Sequence, residues 1–465
     1  MEFNYKAIYR IAGLLMFFLG LALLPAALVA VLNREYAPLK AFSTAAIVCA
    51  TAGFFIVKTF KPLEHVSLRM RDGFLIAPLS MLLVSVLGMF PYMLSGEIPS
   101  AVDAFFESVS GFSTTGATIL ADIGSHSKSV LFWRSFTQWL GGIGIIVFMV
   151  ALLPAFEKVA AVLPNAARVL LVLYSGFTLL ETGFLLAGGF SLYEALVCSF
   201  STVSTGGFSP YASSVSHFGS WYSCVVFAVF MATGAINYSL ICQALRRKAK
   251  TILRDPELRL FIAIAAVSAM AIGADLAFRG LGSLAAVVQA ISILTTTGYV
   301  TADAASWPLF CIMVLFLLMF VGACSSSAGG GLKVVRIIMV FKLIGRGVFI
   351  RLHPNAVVSI KLLDQAMPSD IVSKAANYVF LYIVVIFAGS MLISFDAPSM
   401  MSGISAVASS LGNIGPMFSE AGLSTDYTVF SWPARLLLAL LMLIGRLELF
   451  APLILFTPGF WNPGR

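Results

Sequence analysis

Four short stretches, each centred on a glycine, interrupt a chain that is otherwise hydrophobic enough to reside in a bilayer. They are Ser113-Thr114-Thr115-Gly116-Ala117, Val203-Ser204-Thr205-Gly206-Gly207, Thr295-Thr296-Thr297-Gly298-Tyr299 and Gly412-Asn413-Ile414-Gly415-Pro416. Irregular backbone at membrane depth is tolerated only where protein buries it or water fills a cavity. Four loops around one axis meet that condition. Their carbonyls can supply the ring of oxygens that a cation needs when it sheds its water. Glycine suits such loops because it reaches backbone angles that other residues resist.

The 465 residues are 60% hydrophobic and 11% charged, against about 45–50% and 25% in soluble domains. This composition predicts an all-α polytopic membrane protein, because lipid leaves helices as the way to satisfy the backbone of such runs. The net charge of +8 sits between apolar runs: at Lys58, Lys61, Arg69 and Arg71; at Arg246, Arg247, Lys248, Lys250, Arg254 and Arg259; and at Lys333, Arg336, Lys342, Arg346, Arg351 and Lys361. That pattern marks cytoplasmic loops and leaves no folded soluble domain to bind nucleic acid. The six cysteines show no paired spacing, and the four histidines lie far apart. Neither a disulfide framework nor a metal centre is expected. No paired nucleophile and base appears either, which argues against an enzyme. Residues 11–32 are too long for the apolar core of a signal peptide and read as an uncleaved first span.

Two spans, about 8–32 and 39–60, precede a unit that recurs: a long apolar helix, a short amphipathic segment, a glycine loop and a return helix. The first unit runs about 74–94, Ser100 to Val109, Gly116 and 129–153; the second about 169–190, 192–202, Gly206 and 218–245. The third runs about 258–279, 284–294, Gly298 and 306–343 with an interruption; the fourth about 375–395, 399–410, Gly415 and 432–456. The short segments cannot span a bilayer and read as re-entrant half-helices. Gly116 and Gly206 are 90 residues apart, Gly206 and Gly298 are 92, and Gly298 and Gly415 are 117, the excess falling in the basic segment 342–374. The domain boundaries that follow are 1–72 for two N-terminal transmembrane helices, then repeats at 73–165, 166–255, 256–365 and 366–465. Ten full spans with both termini cytoplasmic put every glycine loop on the outer half of the membrane. Each half-helix then aims its partial negative C-terminus at a central cavity.

Other residues break the pattern. The third return helix meets a glycine-rich run from Gly322 to Gly331, containing Gly329 and Gly330, with Lys333 just beyond. Glycines there should unwind the helix, which suits either a mobile gate or tight packing. Arg446 sits inside the last span, where a charge is costly and needs a partner. It reads either as an electrostatic barrier below the loops or as a structural partner of Glu448 or of a half-helix C-terminus. Glu181, also within a span, reads as a structural pair or a proton-coupling group. Asp103, Glu107 and Glu194 read as helix caps or as outer cation attractors.

These motifs resemble the Trk/Ktr/HKT superfamily of potassium transporters, and within it the bacterial TrkH/TrkG type. The matching pieces are Gly111 to Thr118, Ser204 to Phe208, Thr296 to Tyr299, Gly412 to Pro416, Gly329-Gly330-Gly331-Leu332-Lys333 and Gly445-Arg446-Leu447-Glu448. Met417, Ser326 and Ala328 depart from the family's pattern. The resemblance implies four K⁺-channel-like M1–P–M2 repeats in pseudo-fourfold arrangement, plus two N-terminal helices. It implies a K⁺ selectivity filter at Thr114, Thr115, Gly116, Ser204, Thr205, Gly206, Thr296, Thr297, Gly298, Asn413, Ile414 and Gly415. K⁺ would be bound at Thr114, Thr115, Thr205, Thr296, Thr297, Asn413 and Ile414. A gate would comprise Gly322, Gly329, Gly330, Gly331, Lys333 and Arg446. It further implies a homodimer and a cytoplasmic regulatory subunit of the TrkA type that binds NAD(H) and ATP/ADP. K⁺ would be the transported ion, with no cofactor on this chain.

The expected function is therefore potassium uptake across the bacterial inner membrane through a gated pore, driven by membrane potential. Coupling to protons is left open by the sequence. The alternatives are a Na⁺-permeable or poorly selective relative, and an alternating-access carrier for another solute. A carrier would show an inverted repeat in two halves, where this chain shows four units.

Overall fold

A computed structural model describes residues 3–461 apart from 61–69, 153–162, 246–253, 282–283, 303, 357, 363–364 and 420–421. Lys61, Arg69, Arg246, Arg247, Lys248 and Lys250 lie outside the described residues. Six helices among the described residues are each long and apolar enough to cross a membrane. They are Tyr5–Leu32, Tyr36–Thr59, Arg71–Leu94, Arg168–Ala187, Pro256–Phe278 and Ser369–Ile393. The first two form the N-terminal pair. Gly20 lets them approach closely: a Cβ there would stand 2.7 Å from Ala50 N and 2.8 Å from Ala46 O. Small residues serve this purpose in membranes, where packing rather than water exclusion drives association.

The remaining four helices of the six each begin one unit, and each is followed by a half-helix. The half-helices are Ala101–Phe112, Leu192–Val203, Leu284–Leu294 and Met400–Gly412. At 1.5 Å per residue they reach under about 20 Å, short of the roughly 30 Å hydrocarbon core. Local sequence sets their starts. Ser100 accepts from Asp103 N, while Ser191 with Glu194 and Ser399 with Ser402 form reciprocal capping boxes.

The return helices differ from one another. The first runs unbroken over Lys128–Leu152. The second was expected to be continuous over 218–245, but it breaks: Trp221–Ala235 and Tyr238–Leu245 meet at 101°. The third breaks as its glycines predict, Leu309–Leu318 giving way to irregular backbone before Val334–Leu352. The fourth was expected to run over 432–456. It stops at Arg446, turns through Glu448 and Leu449 at φ 59° and 38°, and resumes at Phe450–Ile454. Return helices in two pieces thus occur in three units, one as the sequence reading expected and two, the second and the fourth, against it.

Two short antiparallel hairpins, Lys361–Leu362 with Gln365–Ala366 and Met417–Ser419 with Gly422–Ser424, were not anticipated. Met417 is buried at the start of the second hairpin.

Candidate ion pathway

Each half-helix ends in the same backbone gesture. The amide of Thr115 donates to Ser110 O at 2.9 Å, Gly206 to Ser201 O at 2.7 Å, Thr297 to Ser292 O at 3.0 Å and Ile414 to Ser409 O at 2.9 Å. One residue earlier, Thr114, Thr205, Thr296 and Asn413 take φ of 54°, 56°, 58° and 52°. One residue later, Gly116, Gly207, Gly298 and Gly415 take φ of 86°, 79°, 76° and 110°. Only glycine adopts that second angle freely.

This geometry corrects the register of the second loop. The glycine equivalent to Gly116, Gly298 and Gly415 is Gly207. Gly206 stands level with Thr115, Thr297 and Ile414. Measured from Gly207, the first two intervals are both 91 residues, more regular than the alignment on Gly206.

The loops close a ring. A Cβ on Gly116 would collide with Gly206 O, on Gly207 with Thr297 O, and on Gly298 with Ile414 O; on Gly415 it would stand 2.6 Å from Thr115 O. Loop 1 thus abuts loop 2, loop 2 abuts loop 3, loop 3 abuts loop 4, and loop 4 returns to loop 1. Every contact is between a glycine and the carbonyl that precedes the next loop's glycine. The loop side chains are buried, and Thr114 Oγ1 and Asn413 Oδ1 have no hydrogen-bond partner among the described residues. Ser204 is buried just ahead of Thr205 and turns its hydroxyl back to Ser201 O at 3.1 Å. Asn413 Nδ2 ties loop 4 to loop 1 through Thr115 Oγ1 at 3.0 Å, and to the last return helix through Met442 O at 2.9 Å. Four rigid loops, oxygen-rich and closed on themselves, can replace the water of a bare cation.

The glycine-rich run of the third return helix lies against this ring. Gly330 N donates to Thr296 Oγ1 at 2.7 Å. A Cβ on Gly330 would strike Gly412 O, and one on Gly329 would stand 3.0 Å from Thr295 O. The break in the second return helix explains what holds the run there. A helix end leaves carbonyls unpaired. Gly234 O and Ala235 O accept from Ala328 N at 3.1 Å and Cys324 N at 3.0 Å, and Tyr238 N donates back to Ser326 O at 3.2 Å. Glu257 anchors the far side, accepting from Ser325 N at 2.7 Å, Ser325 Oγ at 2.9 Å and Val335 N at 3.1 Å. Gly322 and Gly331 pack on each other within the run, both at positive φ. Ser326 also sits at positive φ, 53°.

Arg446 is buried and donates to Ala328 O at 2.8 Å and to Gly141 O at 3.4 Å. It does not pair with Glu448, which accepts from Arg336 instead. Lys333 Nζ donates to Gly329 O. Gly329, Gly330, Gly331, Lys333, Asn413, Gly445, Arg446 and Glu448 enclose a space of about 10 Å³, the lower limit for one water.

The acidic residues divide. Glu194 is a cap, as one reading had it. Asp103 lies in the first turn of its half-helix and pairs with Arg435 at 2.5 Å. Glu107 is neither cap nor outer attractor. It is fully buried, pairs with Arg134 at 2.5 Å and accepts from Thr118 Oγ1 at 3.0 Å. Glu181 is fully buried beside Thr202 with no ion-pair partner among the described residues. Sequence reasoning missed Arg134 and Gln138, although two polar side chains four residues apart in an apolar helix were the available signal.

The cation transport protein family TrkH is matched by residues 43–169, 166–273 and 279–461. The Trk system potassium uptake protein TrkH of Escherichia coli K12 is 34% identical to this chain, over 99% of this chain and 100% of that protein. The protein of the same name from Halomonas elongata is 33% identical over the same shares. The crystal structure of the potassium transporter TrkH from Vibrio parahaemolyticus superposes with a TM-score of 0.93 at 33% identity, covering 99% of this chain and 100% of that one. With the correspondence running from end to end, the chain belongs to the TrkH family of cation transport proteins.

Proposed function

We propose that this protein takes up potassium across the bacterial inner membrane through the ring of four loops. The closed ring of glycine–carbonyl contacts carries this reading, and the potassium uptake named for its relatives supports it. The ring acts as the selectivity filter, with K⁺ the transported ion and no resident cofactor or enzymatic step. A negative-inside potential supplies about 2.3 kcal/mol per charge per 100 mV to draw K⁺ inward. The run 322–331 is the gate, held shut by Arg446, Lys333 and Glu257. The termini face the cytoplasm, the chain pairs as a homodimer, and a TrkA-type nucleotide-binding subunit acts on the gate from that side. The units follow 1–72, 73–165, 166–255, 256–365 and 366–465.

Uptake of radioactive rubidium into proteoliposomes, with and without that subunit, tests the reading. Competition by K⁺ but not by Na⁺ or Li⁺ is the expected result. Equal competition by Na⁺ would favour the poorly selective alternative.

Glu257→Gln should raise potassium flux about three- to tenfold in the same vesicles, because it weakens three bonds to a charged acceptor. Unchanged flux would remove Glu257 from the latch.

A further inference from the structure

Loop 2 differs from the other three at one position. Before the ring glycine, loops 1, 3 and 4 carry a side chain, on Thr115, Thr297 and Ile414; loop 2 has Gly206. That space is filled from elsewhere. A Cβ on Gly206 would run into the carboxamide of Gln138. Gln138 comes from the first return helix and is fully buried. Its Nε2 donates to Gly206 O at 2.7 Å, and its Oε1 accepts from Phe208 N at 3.2 Å. One carboxamide thus grips the chain on both sides of the ring glycine Gly207. Gly206 O is also the carbonyl that lies against Gly116 in the ring. One turn earlier on the same helix, Arg134 places its guanidinium over the Phe208 ring at 4.0 Å, while paired with Glu107. Two neighbouring residues of one helix therefore hold the outgoing strand of loop 2.

We propose that Gln138 is a specificity-determining positioning residue of the ion pathway: its carboxamide stands in for the side chain that loop 2 lacks and fixes the Gly206 carbonyl at the ring. This rests on the potassium-selective reading above. Discrimination between K⁺ and Na⁺ depends on where and how firmly carbonyl oxygens are held. Two adjacent glycines give loop 2 more backbone freedom than its partners have. Without the clamp that loop can follow a smaller ion inward. With it, the Gly206 carbonyl keeps its place in the ring.

Ion-competition kinetics in potassium-uptake-deficient cells expressing the full chain provide the test. The readouts are the KM for K⁺, the inhibition constant for Na⁺ and the maximal rate. Gln138→Met keeps the volume and removes donor and acceptor together. It should lower the K⁺ over Na⁺ preference about tenfold, the effect of two ordinary hydrogen bonds, while the maximal rate stays within about twofold. Gly206→Thr alone should lower the preference about tenfold as well, since its Cβ meets Gln138 and displaces the clamp. Gly206→Thr combined with Gln138→Ala copies the arrangement of loops 1 and 3, and should recover the preference to within about threefold of the parent protein.

A membrane-inserted Gln138→Met protein with unchanged preference, or with a reduced maximal rate at unchanged preference, overturns the proposal. If that variant does not reach the membrane, the double variant decides: recovery sustains the proposal, and no recovery over Gly206→Thr overturns it. A parent protein without K⁺ preference would overturn the potassium reading and this one together. A selective parent with equally selective variants would overturn this one alone.

Discussion

Serine at position 207 should cost the transporter at least about tenfold in its preference for K⁺ over Na⁺, and more than serine at position 206 does. Gly207 sits at φ 79°, and a Cβ there would collide with the backbone carbonyl of Thr297. A left-handed angle costs a non-glycine residue about 1–2 kcal/mol. The collision must also move an oxygen of the ring, which has no flexible side chain to absorb it. Gly206 is not at positive φ, and its Cβ would meet the end of a side chain, Gln138. Gly116→Ser belongs with Gly207→Ser, because it too is left-handed and faces a ring carbonyl, Gly206 O. Na⁺ competition against rubidium uptake for the three variants ranks them directly. If position 206 proves more damaging than position 207, the register drawn from glycine spacing in the sequence is the functional one, and the register drawn from backbone angles is wrong.

Arg446→Ala should raise potassium flux roughly tenfold or more. Two effects act in the same direction. The guanidinium is buried, donates to two carbonyls, Ala328 O and Gly141 O, and has no ion-pair partner among the described residues, so its charge is only partly offset locally. A unit charge about 8 Å from a cation costs about 2 kcal/mol at an effective dielectric of 20. The same side chain also pins the glycine-rich run through Ala328 O. Arg446→Lys separates the two, since it keeps the charge and loses the planar fork. Flux raised in both variants identifies the latch as dominant; flux raised only in the alanine variant identifies the charge. Flux unchanged in both, at normal membrane insertion, would leave Arg446 with neither role.

The sequence disclosed the four loops because serine, threonine and glycine stand out against lipid-grade neighbours. It disclosed the break in the third return helix because three consecutive glycines cannot hide. The breaks at 236–237 and after Arg446 stayed hidden for the opposite reason. Apolar residues resume beyond each break, from Tyr238 and from Leu449, and at the first of them the helix ends on a tertiary partner, the glycine-rich run bonding to Gly234 O and Ala235 O. The register of loop 2 was illegible because adjacent glycines look alike until their backbone angles are known. Glu107 was misread because it was grouped with the carboxylates at half-helix starts, although it lies midway along its own half-helix. Its actual partner, Arg134, lies 27 residues on and comes close only when the return helix folds back.

The order of contacts around the ring sets a condition on synthesis. Loop 1 depends on loop 4 for one side of its enclosure, and nearly 300 residues separate Gly116 from Gly415. At about 5–20 residues per second, the first loop waits roughly 15–60 seconds for its neighbour to emerge from the ribosome. Throughout that interval the nascent chain holds an incomplete circle, with polar backbone turned toward a missing quarter. A message cut short, or a ribosome that stalls before the fourth unit, yields three sides of an enclosure and no conduit.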